Sequence, residues 1–62
     1  MCQSSAFFIT DKGEEVIMRD VALVEPKDGE IRLVDLFGEE KIVKGRIASI
    51  NLMEHRILIV RD

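Results

Sequence analysis

The 62-residue sequence has little of what enzymes commonly use for catalysis: one histidine, one cysteine, and neither tryptophan nor tyrosine. With His55 as the only imidazole, no Ser-His-Asp set can be placed, and no glycine-rich phosphate loop occurs. Glu14-Glu15 and Glu39-Glu40 are neighbours in sequence, so on a strand their side chains point to opposite faces and form no acid/base dyad. We therefore predict that the chain is not an enzyme.

Cysteine, positive charge and long apolar runs are also scarce. One cysteine makes no internal disulfide, so a domain this small depends on packing, a metal or self-association. The net charge of −3 argues against nucleic acid, whose binding draws on Lys and Arg. No apolar stretch approaches the roughly 20 residues that span a bilayer, and no signal peptide is recognisable. We expect one cytoplasmic domain over residues 1–62, with a reduced thiol at Cys2 and no membrane contact.

Turn signals divide the chain into short runs rich in Val, Ile, Leu and Phe, the strongest being Pro26-Lys27-Asp28-Gly29. Breaks about every 8–12 residues are typical of small barrels made of hairpins. The isolated Gly45 predicts a bulge or bend that curls the sheet. We predict an all-β fold, either a small six-stranded barrel or a curled antiparallel sheet built of hairpins. The predicted strands are Gln3–Thr10, Glu15–Arg19, Val21–Glu25, Glu30–Phe37, Lys41–Leu52 and Arg56–Arg61.

The last predicted strand contains Ile57-Leu58-Ile59-Val60 and is therefore apolar on both faces. Such a strand is either central in a closed barrel or covered by another chain. A homodimer would also help so small a domain to reach adequate stability. Both alternatives remain open on the sequence.

Cys2 is the candidate metal ligand. Near the start of the chain a cysteine is difficult to bury deeply, and after removal of Met1 it would carry both a thiolate and the free amine. Together with the next backbone amide, these donors suit square-planar Ni(II) or Cu(II), and two such termini at a dimer axis could complete one site. If Met1 is retained, the site must use thiolate and amides alone. His55 has no partner at a ligand spacing and is predicted to be an exposed turn residue.

Two other functions stay open. Lys41, Lys44 and Arg46 could contact single-stranded nucleic acid or RNA, with Phe7 or Phe8 as a stacking surface, although core packing is the ordinary role of such phenylalanines. Alternatively, the chain is a plain interaction subunit whose apolar C-terminal strand docks on a partner's sheet edge.

Read over nearly its full length, the chain resembles the CooT family. The motifs that carry the resemblance are Met1-Cys2 opening into a strand, Asp20-Val21-x-x-Val24-Glu25, Leu36-Phe37-Gly38-Glu39-Glu40, Gly45-x-Ile47, and Ile50-Asn51-Leu52 before a final apolar strand. The resemblance implies a metallochaperone-like accessory protein that serves nickel insertion into carbon monoxide dehydrogenase as its client metalloenzyme. It also implies a homodimer of β-barrel-like subunits with one Ni(II) held by Cys2 from each chain near the interface.

Overall fold

The chain forms a closed β-barrel in a computed structural model that describes residues 4–61. Sequence neighbours pair antiparallel, and β5 returns beside β1 in the parallel direction, which closes the ring. The prediction of an all-β fold is confirmed, and the closed barrel is chosen over the open curled sheet. The strands are β1 (Ser4–Thr10), β2 (Gly13–Lys27), β3 (Glu30–Asp35), β4 (Glu40–Asn51) and β5 (Arg56–Arg61).

The barrel over residues 4–61 has five strands where the sequence predicted six, because two predicted strands are one. Glu15–Arg19 and Val21–Glu25 both belong to β2, which continues through Asp20. Asp20 has φ of 56°, in the left-handed region, so the backbone changes direction there without ending the strand. Residues 13–18 pair with β1, residues 23–27 pair with β3, and Val21 pairs with both strands. The gap at Asp20 that the sequence predicted between two strands is therefore a bend within one strand, which allows that strand to pair with two partners.

Gly45 marks the corresponding change of partner in β4. Residues 40–44 pair with β3, and residues 45–51 pair with β5. A Cβ atom at Gly45 would lie 2.3 Å from the backbone oxygen of Val60, far inside normal contact. Glycine is required here because β4 passes directly against the backbone of β5. The bend predicted at Gly45 corresponds to this crossing.

The core lies inside the ring and comes from alternate residues of three strands. Ile31 and Leu33 of β3 and Ile59 of β5 are its largest fully buried side chains. Within residues 4–61, the buried hydrophobic residues of this core are Ala6, Phe8, Ile31, Leu33, Ile57 and Ile59. Because β5 pairs with β4 on one side and β1 on the other, its inward side chains are central in this core.

Ion pairs cover parts of the outer surface. On the face formed by β2, β3 and β4, Arg32 lies between Glu25 and Glu40 and pairs with both. The hydrogen bond from Arg32 to Glu40, together with the negative charge of Glu40, raises the pKa of the guanidinium above its ordinary value. On the β1 and β5 face, Arg56 pairs with Glu14.

Gly45→Ala should destabilise the barrel more than Gly38→Ala does. Both glycines have positive φ, but a Cβ at Gly38 meets nothing within 4 Å. We expect about 1 kcal/mol of backbone strain for Gly38→Ala. Gly45→Ala should add about 1–3 kcal/mol of overpacking against Val60. Urea unfolding of both variants measures the difference, and equal losses would show that the close approach of β4 to β5 is absent.

Ile31→Val tests the position of the core against a matched change on the surface. Ile31 is fully buried, whereas Ile42 on the adjacent strand is exposed. Removing one methylene should cost about 0.5–1.5 kcal/mol at Ile31. The same change at Ile42 should stay within about 0.5 kcal/mol. Chemical denaturation curves of the two variants give the comparison, and a larger loss at Ile42 would contradict the observed orientation of the strands.

Candidate metal centre

The predicted metal ligand, Cys2, lies outside the described residues, so the structure shows the site only from Ser4 onward. Ser4, the first residue of β1, pairs with Val21 of β2. On the other side of β1, Ser5 pairs with Arg56 and its N–H donates to the carbonyl of His55 at 2.9 Å. The start of β1 is therefore fixed between two neighbours two residues after Cys2.

The loop between β3 and β4 is attached to β2 close to this point. The N–H of Leu36 donates to the carbonyl of Asp20 at 2.9 Å. Within the loop, Oδ1 of Asp35 accepts hydrogen bonds from the N–H groups of Phe37 and Glu39, both at 2.9 Å. One carboxylate thus holds the loop's shape, the usual role of Asp at a turn.

The loop between β4 and β5 is built in the same way. Oδ1 of Asn51 accepts hydrogen bonds from the N–H groups of Met53 at 3.0 Å and Glu54 at 2.9 Å. His55 then takes φ of 57° and leads into β5. The sequence located this turn correctly, although His55 is half-buried rather than exposed.

The two loops expose large apolar side chains, three of which (Leu36, Phe37 and Leu52) the sequence analysis placed in strands. Leu36 and Phe37 extend from the first loop, and Leu52 and Met53 extend from the second. A groove of about 510 Å³ also lies between β2 and the first loop, with Asp20 and Phe37 among its lining residues. In the sequence, the signal that these apolar pairs belong to exposed loops was their position beside an Asp or Asn turn residue.

Residues 4–61 contain no group of three or more His, Cys, Asp or Glu side chains that could hold a metal ion. A metal at this end of the barrel would therefore need donors from Cys2 and the backbone around it. His55 is the single histidine of the sequence, and its backbone carbonyl accepts a hydrogen bond from the N–H of Ser5. The available donor types are thus a soft thiolate and nitrogens, which match the requirements of Ni(II) or Cu(II).

The basic residues of the nucleic-acid alternative do not share one face. Lys41 is in register with the buried Leu33, and its Nζ donates to the carbonyl of Ile17 at 3.3 Å. Lys44 is in register with Glu30 on the outer surface, and Arg46 is in register with Val60. A surface along β4 that binds the phosphates of a nucleic acid would need all three basic side chains on one face of the strand.

The two phenylalanines of the nucleic-acid alternative, Phe7 and Phe8, each contact an arginine side chain. Phe8 is buried in the core, and the guanidinium of Arg61 lies 4.3 Å from its ring centroid. Phe7 faces outward, but Arg56 covers it at 4.9 Å from the ring centroid. A base that stacked on the outer side of Phe7 would have to displace Arg56.

The plain-interaction alternative needed the C-terminal strand to dock on a partner's sheet edge. In the barrel, β5 has β4 on one side and β1 on the other, so its backbone is already paired on both edges. Separately, no helix within residues 4–61 is long and apolar enough to cross a membrane.

Comparison with known proteins identifies the family. The family of the CO dehydrogenase accessory protein CooT matches residues 1–60. An uncharacterized protein of Methanocaldococcus jannaschii is 37% identical over 59 residues, which cover 95% of this chain and 96% of that protein. An uncharacterized protein of Methanothermobacter thermautotrophicus is 32% identical over 59 residues, covering 95% of this chain and 88% of that protein.

A solved structure agrees in both fold and sequence. The crystal structure of a protein assigned as CooT in Carboxydothermus hydrogenoformans superposes with a TM-score of 0.89 at 33% identity. The match covers 98% of each chain. The resemblance seen in the sequence motifs is thereby confirmed, and the chain belongs to the CooT family of CO dehydrogenase accessory proteins.

Proposed function

We propose that this protein binds Ni(II) through the Cys2 thiolate at a homodimer interface and delivers the ion to a client metalloenzyme. The observation that carries the proposal is the fixed start of β1, which holds the chain two residues after its only cysteine. Membership of an accessory family for CO dehydrogenase supports nickel as the ion and that enzyme class as the client.

The donors near Cys2 fit nickel better than they fit a closed structural zinc site. Structural zinc takes four side-chain ligands in a tetrahedron. Residues 4–61 supply no cluster of His, Cys, Asp and Glu that could complete such a set around one thiolate. A thiolate with backbone nitrogens instead forms the planar arrangement that Ni(II) and Cu(II) accept.

Two copies of the chain complete the site more readily than one. A single Cys2 provides one sulfur, whereas two chains related by a two-fold axis provide two equivalent sulfurs and their adjoining nitrogens. The donor chemistry around Cys2 supports this arrangement because four planar positions divide evenly between two copies.

The role of the protein's own residues is to hold and position the terminus. The hydrogen bond from Ser5 to His55 and the pairing of Ser4 with Val21 hold the start of β1 in the sheet. Two residues of extended chain reach at most about 7 Å, which is the covalent limit on the distance from Ser4 to Cys2. Nickel, when bound, contributes a strong preference for planar thiolate and nitrogen donors.

Cys2→Ser should abolish tight Ni(II) binding and leave the fold intact, because the thiolate is the principal ligand. Wild-type protein titrated with Ni(II) should develop a thiolate-to-nickel charge-transfer band that saturates at one ion per two chains. The variant should show no band while its circular dichroism and thermal unfolding remain unchanged. Mass spectrometry of both samples establishes whether Met1 is removed, which decides between amine and amide nitrogen as the neighbouring donor.

His55→Gln is the matched control, since it removes the only imidazole without touching the thiol. We expect this variant to keep the charge-transfer band and its stoichiometry. Unchanged nickel affinity in Cys2→Ser would remove the basis for the proposed site. Loss of nickel binding in His55→Gln, with binding retained in Cys2→Ser, would instead transfer the principal ligand role to the imidazole.

A further inference from the structure

The bend at Asp20 leaves the first half of β2 with one open edge. On one side this half pairs with β1, but the pairing of β2 with β3 begins only at Val21. Among residues 4–61, no strand therefore lies beside the other edge of β2 between Glu14 and Arg19. An open edge presents main-chain N–H and C=O groups with which another extended segment can form hydrogen bonds.

The register of the β1–β2 hairpin shows which main-chain groups face the open edge. Thr10 and Gly13 flank a two-residue turn and form the first hydrogen-bonded pair of the hairpin. Hydrogen-bonded and non-hydrogen-bonded pairs alternate along an antiparallel ladder, so Val16, opposite Phe7, belongs to a non-hydrogen-bonded pair. The N–H and C=O groups of Val16 therefore point away from β1 and toward the open edge.

A side chain, rather than a strand, contacts this edge at Ile17. The Nζ atom of Lys41, in β4, donates to the carbonyl of Ile17 at 3.3 Å. Lysine is one of the residues with which proteins protect an open sheet edge. The side chain of Lys41 is exposed, so its ammonium group can return to water when another segment approaches the edge.

The groove of about 510 Å³ lies directly beside the open edge. One wall of the groove is β2 from Val16 to Asp20, and the other is formed by the β3–β4 loop and the first residues of β4. Two apolar side chains of this lining are accessible, since Val16 is 45% exposed and Phe37 80% exposed. Sites that bind ligands commonly have volumes of about 300–1,000 Å³, so the groove has room for side chains of an added strand.

The charged residues of the groove favour a basic occupant. Its lining contains four carboxylates against two cations, namely Asp20, Asp35, Glu39 and Glu40 against Arg19 and Lys41. The whole chain is also acidic, with a net charge of −3. Opposite charges across an interface speed association and fix the orientation of the partner.

We propose that the open edge of β2 and the adjacent groove bind an extended segment of a partner protein that carries both basic and apolar side chains. The segment adds to β2 as a further strand through main-chain hydrogen bonds, and pockets beside the strand select its side chains. Val16 and Phe37 contact its apolar side chains, and the carboxylates of the groove attract its basic ones. This inference goes beyond the nickel proposal and requires no metal, because no residue that lines the groove is a proposed ligand.

A second cavity, of about 330 Å³, lies where no open edge is available. Among its lining residues, Glu25, Arg32 and Ile42 are in register across β2, β3 and β4. A segment bound there would lie on the face of a paired sheet and could not extend it. Ile42, at 57% exposure, is therefore the matched control position for Phe37.

The first test titrates metal-free protein with a blocked peptide of about ten residues in which lysine alternates with valine. Nuclear magnetic resonance titration gives the dissociation constant. We expect glutamate in place of lysine to weaken binding at least about 10-fold. Phe37→Ser should weaken binding of the lysine peptide about 10-fold, and Ile42→Ser should remain within about 3-fold of wild type. Absence of binding at millimolar lysine peptide, or equal binding of the glutamate peptide, would overturn the proposal.

Hydrogen exchange of single amides locates the added strand. The N–H of Val16 faces the open edge, whereas Glu15, opposite Phe8, belongs to a hydrogen-bonded pair within the hairpin. Saturation with the lysine peptide should slow exchange at Val16 at least about 10-fold and leave Glu15 unchanged. A bound peptide that leaves exchange at Val16 unchanged would contradict strand addition.

Methylation of the peptide backbone tests the main-chain contact without any change to the protein. One peptide is methylated at the lysine nitrogens and a second at the valine nitrogens. Only alternate N–H groups of an added strand face β2, so one of these peptides should bind at least about 10-fold more weakly than the other. Two methylated peptides that both bind as tightly as the unmodified one would show that the main chain takes no part, and would overturn the proposal.

Discussion

The pairing of β1 with β5 is the interaction on which the rest of the structure depends. It runs from Ser5 with Arg56 to Ile9 with Val60 and joins the two ends of the chain in parallel. Without it, both strands would have an unpaired edge, and Ala6, Phe8, Ile57 and Ile59 would lose the enclosure that buries them. A chain of 62 residues forms only a small core, so it depends on burying all of these side chains. Closing the ring also gives the backbone of both strands hydrogen-bond partners on each edge.

The same pairing also positions the segments on which the proposed function depends. It places the start of β1 beside the β4–β5 loop, while the bend at Asp20 brings the β3–β4 loop to the other side. The start of β1 and both loops therefore lie at one end of the barrel. In the proposed function, dimerisation and metal binding would favour each other, since each brings the two copies of Cys2 together. The opposite end of β5 is occupied by Arg61 and Phe8, which pack against each other.

Much of the fold could be predicted from the sequence because turns and β-forming runs are local signals. The turn at Asp28-Gly29 and the start of the following strand at Glu30 were located correctly, and the β-class followed from the spacing of the turns. Asp20 misled the strand count because its side chain is typical of a break, whereas the backbone uses its left-handed conformation to bend one strand. The parallel closure left no local trace, since its partners are about fifty residues apart. The exposure of Leu36 and Phe37 was missed because Leu and Phe within a predicted strand are indistinguishable from core residues.

The sequence by itself determined the β-fold class, the required glycine at the β4 bend, and Cys2 as the only thiol available to a soft metal. These follow from backbone preferences and side-chain chemistry, which each residue carries wherever it is placed. Only the tertiary structure decided which apolar residues became core and which remained exposed, and which loops came to flank the start of β1. Both depend on long-range strand pairing, because a one-residue change in register would move every side chain to the other face of the sheet.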